Sequence, residues 1–194
     1  SNSNNNLIFL LAFTNTPMVR HFLSSISPTI NYEAGQIATL PILEFPRVQV
    51  VQNTEKLIEI AKADWDSNEE SWDFQHLPVL NRVQSNDVKP LEQTYQELRV
   101  QQLAEFQSVK ELEETNSRYF LEHYGLSEEL SANIPDDEIT LRHNSKYRYD
   151  EDKSESEHEA LLLADTMREF ISYAVGCMLG RYSLDKPGLI LANQ

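Results

Sequence analysis

The stretch 'DVKPLEQTYQELRVQQLAEFQSVKELEETNSRYFLEHYG', Asp87 to Gly125, decides the fold. Apolar residues at 91, 95, 98, 103, 106, 109 and 112, then at 119 and 120, recur mostly at three or four positions. That spacing lines one face of an α-helix. Gly125 ends the run, because glycine takes the left-handed conformation that closes a helix without strain. Unbroken from about Asp87 to Tyr124, the helix is about 55 Å long at 1.5 Å per residue. A compact domain of this size does not cover such a rod. Part of it is therefore expected to protrude or to pack on a partner or a second copy, with Leu103, Phe106 and Leu112 as the apolar stripe offered.

Outward from this rod the chain reads as mainly α, a helical spacer or bundle. Residues 1–6, 'SNSNNN', are polar and read as a cloning remnant or a disordered end, and Leu7 to Phe13 enter almost at once as core-grade helix. Thr16 is the expected N-cap of a second helix with Pro17 at its first position, running to about Ser25. From about Val50, residues Leu57, Ile58, Ile60 and Ala61 return to helical spacing, and the helix is expected to reach 'DWDSNEESWDF', Asp64 to Phe74. Trp65, Trp72 and Phe74 are expected as anchors of a helix–helix core. Residues 127–153 read as loop with at most one short strand, and a final helix spans about 156–181, where Gly176 and Gly180 form a small-residue ridge suited to close helix approach. One stretch departs from the pattern. 'PTINYEAGQIATLPI', Pro28 to Ile42, alternates apolar residues around Gly35 and closes on Pro41, so a short strand-like insert is expected near residues 29–42.

Composition sets limits on function. The chain has 194 residues, of which 40% are apolar and 24% charged, an ordinary globular balance. Sixteen basic against 31 acidic residues leave a net charge of -15, a field that repels polyanions unless basic groups cluster locally. The single cysteine, Cys177, excludes an internal disulfide framework and is expected as a buried, inert thiol. No apolar run approaches the roughly 20 residues needed to span a bilayer, so no membrane partner is expected. Neither glycine-rich phosphate loop occurs, the five histidines are scattered, and no zinc or other metal site is expected. Pro135, Asp136, Glu151 and Lys153 reproduce the order of a metal-dependent nuclease motif, but that chemistry needs its carboxylates on a paired hairpin. The segment 'YDEDKSESEHE' is too polar for a buried strand, so a solvated acidic loop is the expectation.

One local basic island remains. Arg142, His143, Lys146 and Arg148, interleaved with Tyr147 and Tyr149, carry no acidic residue among them. Arg142, Lys146, Arg148 and Tyr147 are the candidate contacts to a DNA phosphate backbone. In so acidic a chain the competing expectation, and the favoured one, is pairing with the chain's own carboxylates.

Three separated stretches together resemble one family. 'PTINYEAGQIATLPI', 'DWDSNEESWDF' and 'LLADTMREFISYAVGCMLGRYSLDKPGLILA' look like the carboxyl-terminal region of the adenine-specific DNA methyltransferases of BREX phage-defence systems, the PglX family. The first two also resemble segments of related single-chain restriction-modification methyltransferases. Asn68 departs from the pattern, since an aromatic residue is usual there. The resemblance implies that residues 7–46 close a target-recognition region, with the strand completing a sheet elsewhere, and that residues 47–194 form the helical domain that follows. It further implies a bacterial, cytoplasmic parent enzyme that methylates N6 of an adenine rotated out of the duplex, with S-adenosylmethionine as cofactor. The family's NPP[YF] catalytic loop and its glycine-bearing cofactor turn do not occur in this chain, so no catalytic and no cofactor-binding residue is assigned. The expected role is a non-catalytic specificity and scaffold segment. The alternative is a protein–protein interaction module that docks another defence component.

Overall fold

The computed structural model describes residues 2–27, 31–80 and 89–190. In chain order these form α1 (Asn2–Thr14), α2 (Pro17–Ile26), α3 (Ala34–Ile37), α4 (Val48–Asp66), α5 (Leu91–Tyr124), α6 (Ser145–Arg148) and α7 (Glu155–Met178). Two 3-10 turns, Pro78–Leu80 and Asp136–Glu138, lie between them. The protein is mainly α. No strand occurs among the described residues, where a single bridge pairs Ser183 with Lys186.

The helix that decides the fold spans 34 residues. Its start lies later than expected, at Leu91. Pro90 disfavours helical backbone at the residue before it, and its carbonyl takes the first turn's bond from the Thr94 N–H at 3.1 Å. Asp87 and Val88 lie outside the described residues. The stop is as read: Gly125 has φ 69°, and the Leu126 N–H reaches back to the Leu121 carbonyl at 2.9 Å, closing the helix with a Schellman turn. Thr16 caps α2 through a bond from the Val19 N–H to its hydroxyl, with Pro17 in the first turn.

Three expectations are corrected. Residues 28–30 of the insert lie outside the described residues, and residues 31–42 are not extended strand but a helical turn, α3, set in irregular chain. Glu33 and Gln36 close a reciprocal capping box, which outweighs the apolar alternation and leaves only Leu40 buried. The polar head is helical from Asn2, and Asn6 accepts a bond from Arg47 at 2.9 Å. Helix α4 reaches the cluster as read and ends inside it at Asp66, where Ser71 bonds Asp66 at 2.6 Å and Ser67 bonds the Asp64 carbonyl, local side-chain bonds that compete with the helix ladder. Of the three aromatic anchors only Phe74 is buried; Trp72 is fully exposed and Trp65 half-exposed.

The chain groups into two compact units, and α4 and α5 supply residues to both. The first unit takes Ser1–Glu59 and Ser108–Pro135. Its core is aromatic: Phe9, Phe13 and Phe120 are almost wholly buried, with Phe45 and Tyr124 packed around them. A buried polar chain crosses this core from α4 to α5. Asn53 donates to Asn116 at 3.0 Å, Asn116 donates to Thr54 at 3.2 Å, and Thr54 donates to the Val50 carbonyl at 2.7 Å. Such a network fixes register, since a shift of either helix leaves buried amides unpaired.

The second unit takes Ile60–Gln107 and Asp136–Gln194, and its core joins Phe74, Leu77, Val79, Tyr173 and Tyr182. The glycine ridge of α7 serves a different purpose from that expected. Gly180 lies beyond the helix at φ 75°, where the Arg181 N–H bonds the Gly176 carbonyl at 2.8 Å and ends α7 at Met178. Gly176 receives a ring, not a helix: a Cβ there would stand 2.6 Å from Cδ2 of Tyr182, whose ring stacks on Tyr173 at 4.9 Å. Gly176→Ala is therefore expected to displace that stack and destabilise the chain by about 1–3 kcal/mol, read as a lowered urea midpoint. An unchanged midpoint would remove the stack from the unit's energetics.

Candidate functional site

Within the second unit a cleft of about 320 Å³ is walled by α4, α5, α7 and the segment around His143. Asn144 sets that segment. Its side-chain amide donates to the carbonyls of Asp136 and Ile139 at 2.6 and 2.7 Å, while its oxygen accepts the Lys146 N–H at the start of α6. The preceding two residues are thereby presented to the end of α4. Asp64 accepts the Arg142 backbone N–H at 2.8 Å through one oxygen and faces His143 Nδ1 at 3.1 Å through the other.

His143 is 7% exposed, and its Nε2 has no hydrogen-bond partner; the nearest carboxylate, Glu105, stands 3.8 Å away. Burial pushes the Glu105 carboxyl above the ordinary range, a rise that His143 opposes and the Asp64 charge adds to. An aspartate holding one imidazole nitrogen while the other faces a cleft is the orientation used in proton transfer. No serine, threonine or cysteine hydroxyl or thiol is hydrogen-bonded to that nitrogen. The arrangement is a three-element brace between α4, α5 and the His143 segment. Behind it Arg99 donates to the His143 carbonyl at 3.1 Å and grips Glu159 through two bonds of 2.8 and 2.6 Å.

The basic island closes on the unit's own carboxylates. Arg142 pairs with Glu169 at 3.6 Å, Arg148 with Asp165 at 3.1 Å and Glu169 at 3.4 Å, and Lys146 with Asp136 at 2.7 Å. The hydrogen bond to Asp136 raises the Lys146 ammonium above its ordinary value. Tyr149 donates to Asp165 at 2.9 Å; burial and that bond together push its hydroxyl well above the usual phenol range. Burial works against Asp165 ionising, yet the Tyr149 hydroxyl and the guanidiniums of Arg168 and Arg148 hold its carboxyl below the usual range. Tyr147 alone among the candidate phosphate contacts stands half-exposed without such a bond.

Of the expected partner stripe on α5, Leu103 is exposed, Leu112 half-buried and Phe106 buried. The nuclease-like residues are not brought together as that chemistry requires: Asp136 pairs with Lys146, and Lys153 pairs with Asp150 and Asp152. No group of three metal-ligating side chains forms among the described residues. No described helix is long and apolar enough to cross a membrane. Sequence reasoning singled out neither the Asp64–His143 brace nor the Arg99–Glu159 pair. Their partners lie 79 and 60 residues apart, so no local spacing signals them.

No family model matches the chain. Among curated proteins it is similar, along its whole length, to adenine-specific methyltransferases. It is 35% identical over all 194 residues to the adenine-specific methyltransferase PglX of Lacticaseibacillus casei (strain Zhang). It is 29% identical over 185 residues, 95% of the chain, to the adenine-specific methyltransferase BrxX of Escherichia coli O9:H4 (strain HS). The chain spans 15% of the length of each, which is consistent with a fragment of such a protein. The resemblance carried by three short stretches thus extends along the full chain.

Proposed function

We propose that this chain is a non-catalytic specificity and scaffold segment of a longer DNA adenine-N6 methyltransferase of bacterial phage defence. Similarity over all 194 residues to an adenine-specific methyltransferase carries the reading. In the parent enzyme, S-adenosylmethionine supplies the methyl group and duplex DNA the flipped adenine, in the cytoplasm. The present segment holds the recognition elements at a fixed distance from the catalytic cleft. Its net charge of -15 and the pairing of Arg142, Lys146 and Arg148 with internal carboxylates favour scaffolding over direct phosphate contact. The exposed Leu103 on α5 favours a second reading, in which the segment docks another defence protein or a second copy.

The test is incubation with labelled S-adenosylmethionine and adenine-containing duplex. The isolated chain is expected to incorporate no methyl above a buffer blank, whereas the full-length parent does; incorporation by the chain alone overturns the assignment. A companion measurement addresses the island. In the full-length parent, Arg142→Ala, Lys146→Ala and Arg148→Ala are expected to lower the melting temperature and leave the salt dependence of DNA binding unchanged. A fall in the salt slope of roughly 0.9 per variant would instead make these residues phosphate contacts.

A further inference from the structure

The cleft of the second unit is lined by a buried acceptor that lacks a donor. His143 is 7% exposed, and its Nε2 has no hydrogen-bond partner among the described residues. Asp64 is an acceptor and faces Nδ1 at 3.1 Å, so Nδ1 carries the ring proton and Nε2 presents a lone pair. The neighbour of Nε2, Glu105 Oε2, is an acceptor as well. Their separation of 3.8 Å is too long for a direct bond, yet it lets one donor nitrogen stand about 2.9 Å from both. The Glu105 side chain is 38% exposed and is free to swing aside to admit that nitrogen. Charge at the cleft points the same way. Its lining brings three carboxylates, Asp64, Glu105 and Glu169, against two guanidiniums, Arg142 and Arg148. Both guanidiniums are engaged by Glu169, and Arg148 also by Asp165, which leaves the Asp64–Glu105 end electronegative. Burial raises the Glu105 carboxyl and the Asp64 charge adds to the rise against the opposing effect of His143; a cation bonded to Oε2 offsets both.

We infer that this cleft binds a small primary amine in its ammonium form, the nitrogen donating to His143 Nε2 and Glu105 Oε2 and the apolar stem lying along the wall that Leu77, Val79, Leu98 and Leu162 provide. An ammonium carries three donors on one compact nitrogen, which suits two acceptors on different side chains. A quaternary cation has no donor, and the planar fork of a guanidinium suits the two oxygens of a single carboxylate. The volume of about 320 Å³ lies at the lower end of small-molecule sites and matches a ligand of this size.

Benzylamine, protonated at neutral pH, is the probe, with benzyl alcohol as its uncharged counterpart and benzyltrimethylammonium as its donor-free one. Titrated into the whole chain carrying isotope-labelled histidine, benzylamine is expected to move the nitrogen resonance of His143 Nε2 and to saturate at about millimolar concentration, while the two counterparts leave it in place. Glu105→Gln keeps the shape of the side chain without its charge and is expected to weaken benzylamine binding at least tenfold. Glu128→Gln, on an exposed site of the first unit, is expected to leave the affinity unchanged. No movement of the His143 resonance with benzylamine, an equal response to either counterpart, or an unchanged affinity in Glu105→Gln overturns the inference. The comparison of the three probes on the wild-type chain decides the matter even where the Glu105 variant does not fold.

Discussion

Replacing Phe120 by alanine is expected to remove about 3–5 kcal/mol from the stability of the chain. Phe120 is wholly buried in α5, with its ring 5.4 Å from Phe9, 5.5 Å from Phe13 and 5.8 Å from Phe45. These rings come from α1 and from the segment before α4, so truncation removes the contact surface they share. The cavity cannot close by a shift of one neighbour, because Phe45 is also held against His123 at 4.4 Å and Arg47 stacks on Phe9 at 4.2 Å. A whole domain is stable by only about 5–15 kcal/mol, so the loss is a large fraction of the total. Urea denaturation gives the magnitude, and hydrogen exchange locates it: amides of α1 and of the carboxyl-terminal turns of α5 are expected to lose most protection. Phe120→Leu, which keeps most of the volume, is expected to cost less than about 1.5 kcal/mol. A Phe120→Ala loss below about 1 kcal/mol would mean that these aromatic contacts do not form the first unit's core.

The helices were legible where one periodicity dominated. In α5 the apolar spacing and the glycine stop agree, and in α7 the apolar spacing does, so the structure departs from the reading only by a few terminal residues. The insert misled because its alternation at Ile30, Tyr32, Ile37, Leu40 and Ile42 is a weak signal over few residues, while the Glu33 and Gln36 side chains contribute two local bonds that favour a helical turn. Trp65 and Trp72 misled because residue type was taken for burial; a tryptophan at an interaction surface has the same letter as one in a core. The relation between Asp64 and His143 was invisible because nothing in sequence spacing measures the distance between residues 79 positions apart. The island's fate was legible from composition, since a chain with 31 acidic residues offers a carboxylate to almost any cation it folds against.

The second large effect concerns Arg99 and Glu159, the pair that joins α5 to α7 behind His143. Arg99→Ala is expected to destabilise the chain by about 2–3 kcal/mol. A fully buried pair broken on one side costs about 3–5 kcal/mol, and the figure is lowered here because the Glu159 side chain is 39% exposed and can rehydrate. The His143 carbonyl also loses its donor. Glu159→Gln leaves the guanidinium, 11% exposed, with a neutral acceptor, and about 1–2 kcal/mol is expected. Arg99→Lys retains the charge but not the fork that makes two parallel bonds, so it should not restore wild-type stability. The pH dependence separates this pair from mere packing. The hydrogen bond from Arg99 holds the Glu159 carboxyl below its ordinary value against the opposing effect of burial, and attraction to Arg99 and His158 adds to it. A carboxyl depressed in the folded state contributes stability that is present above its unfolded value of roughly 4.3 and is lost as pH falls through the lower folded value. Arg99→Ala removes that depression, so the difference between wild type and variant is expected to be full at pH 6–7 and to shrink on acidification below about pH 4.3. Urea unfolding of both proteins at intervals from pH 7 to pH 3 measures it directly. A difference that stays constant to pH 3 would assign the whole loss to packing and to the His143 carbonyl, with no contribution from the ion pair.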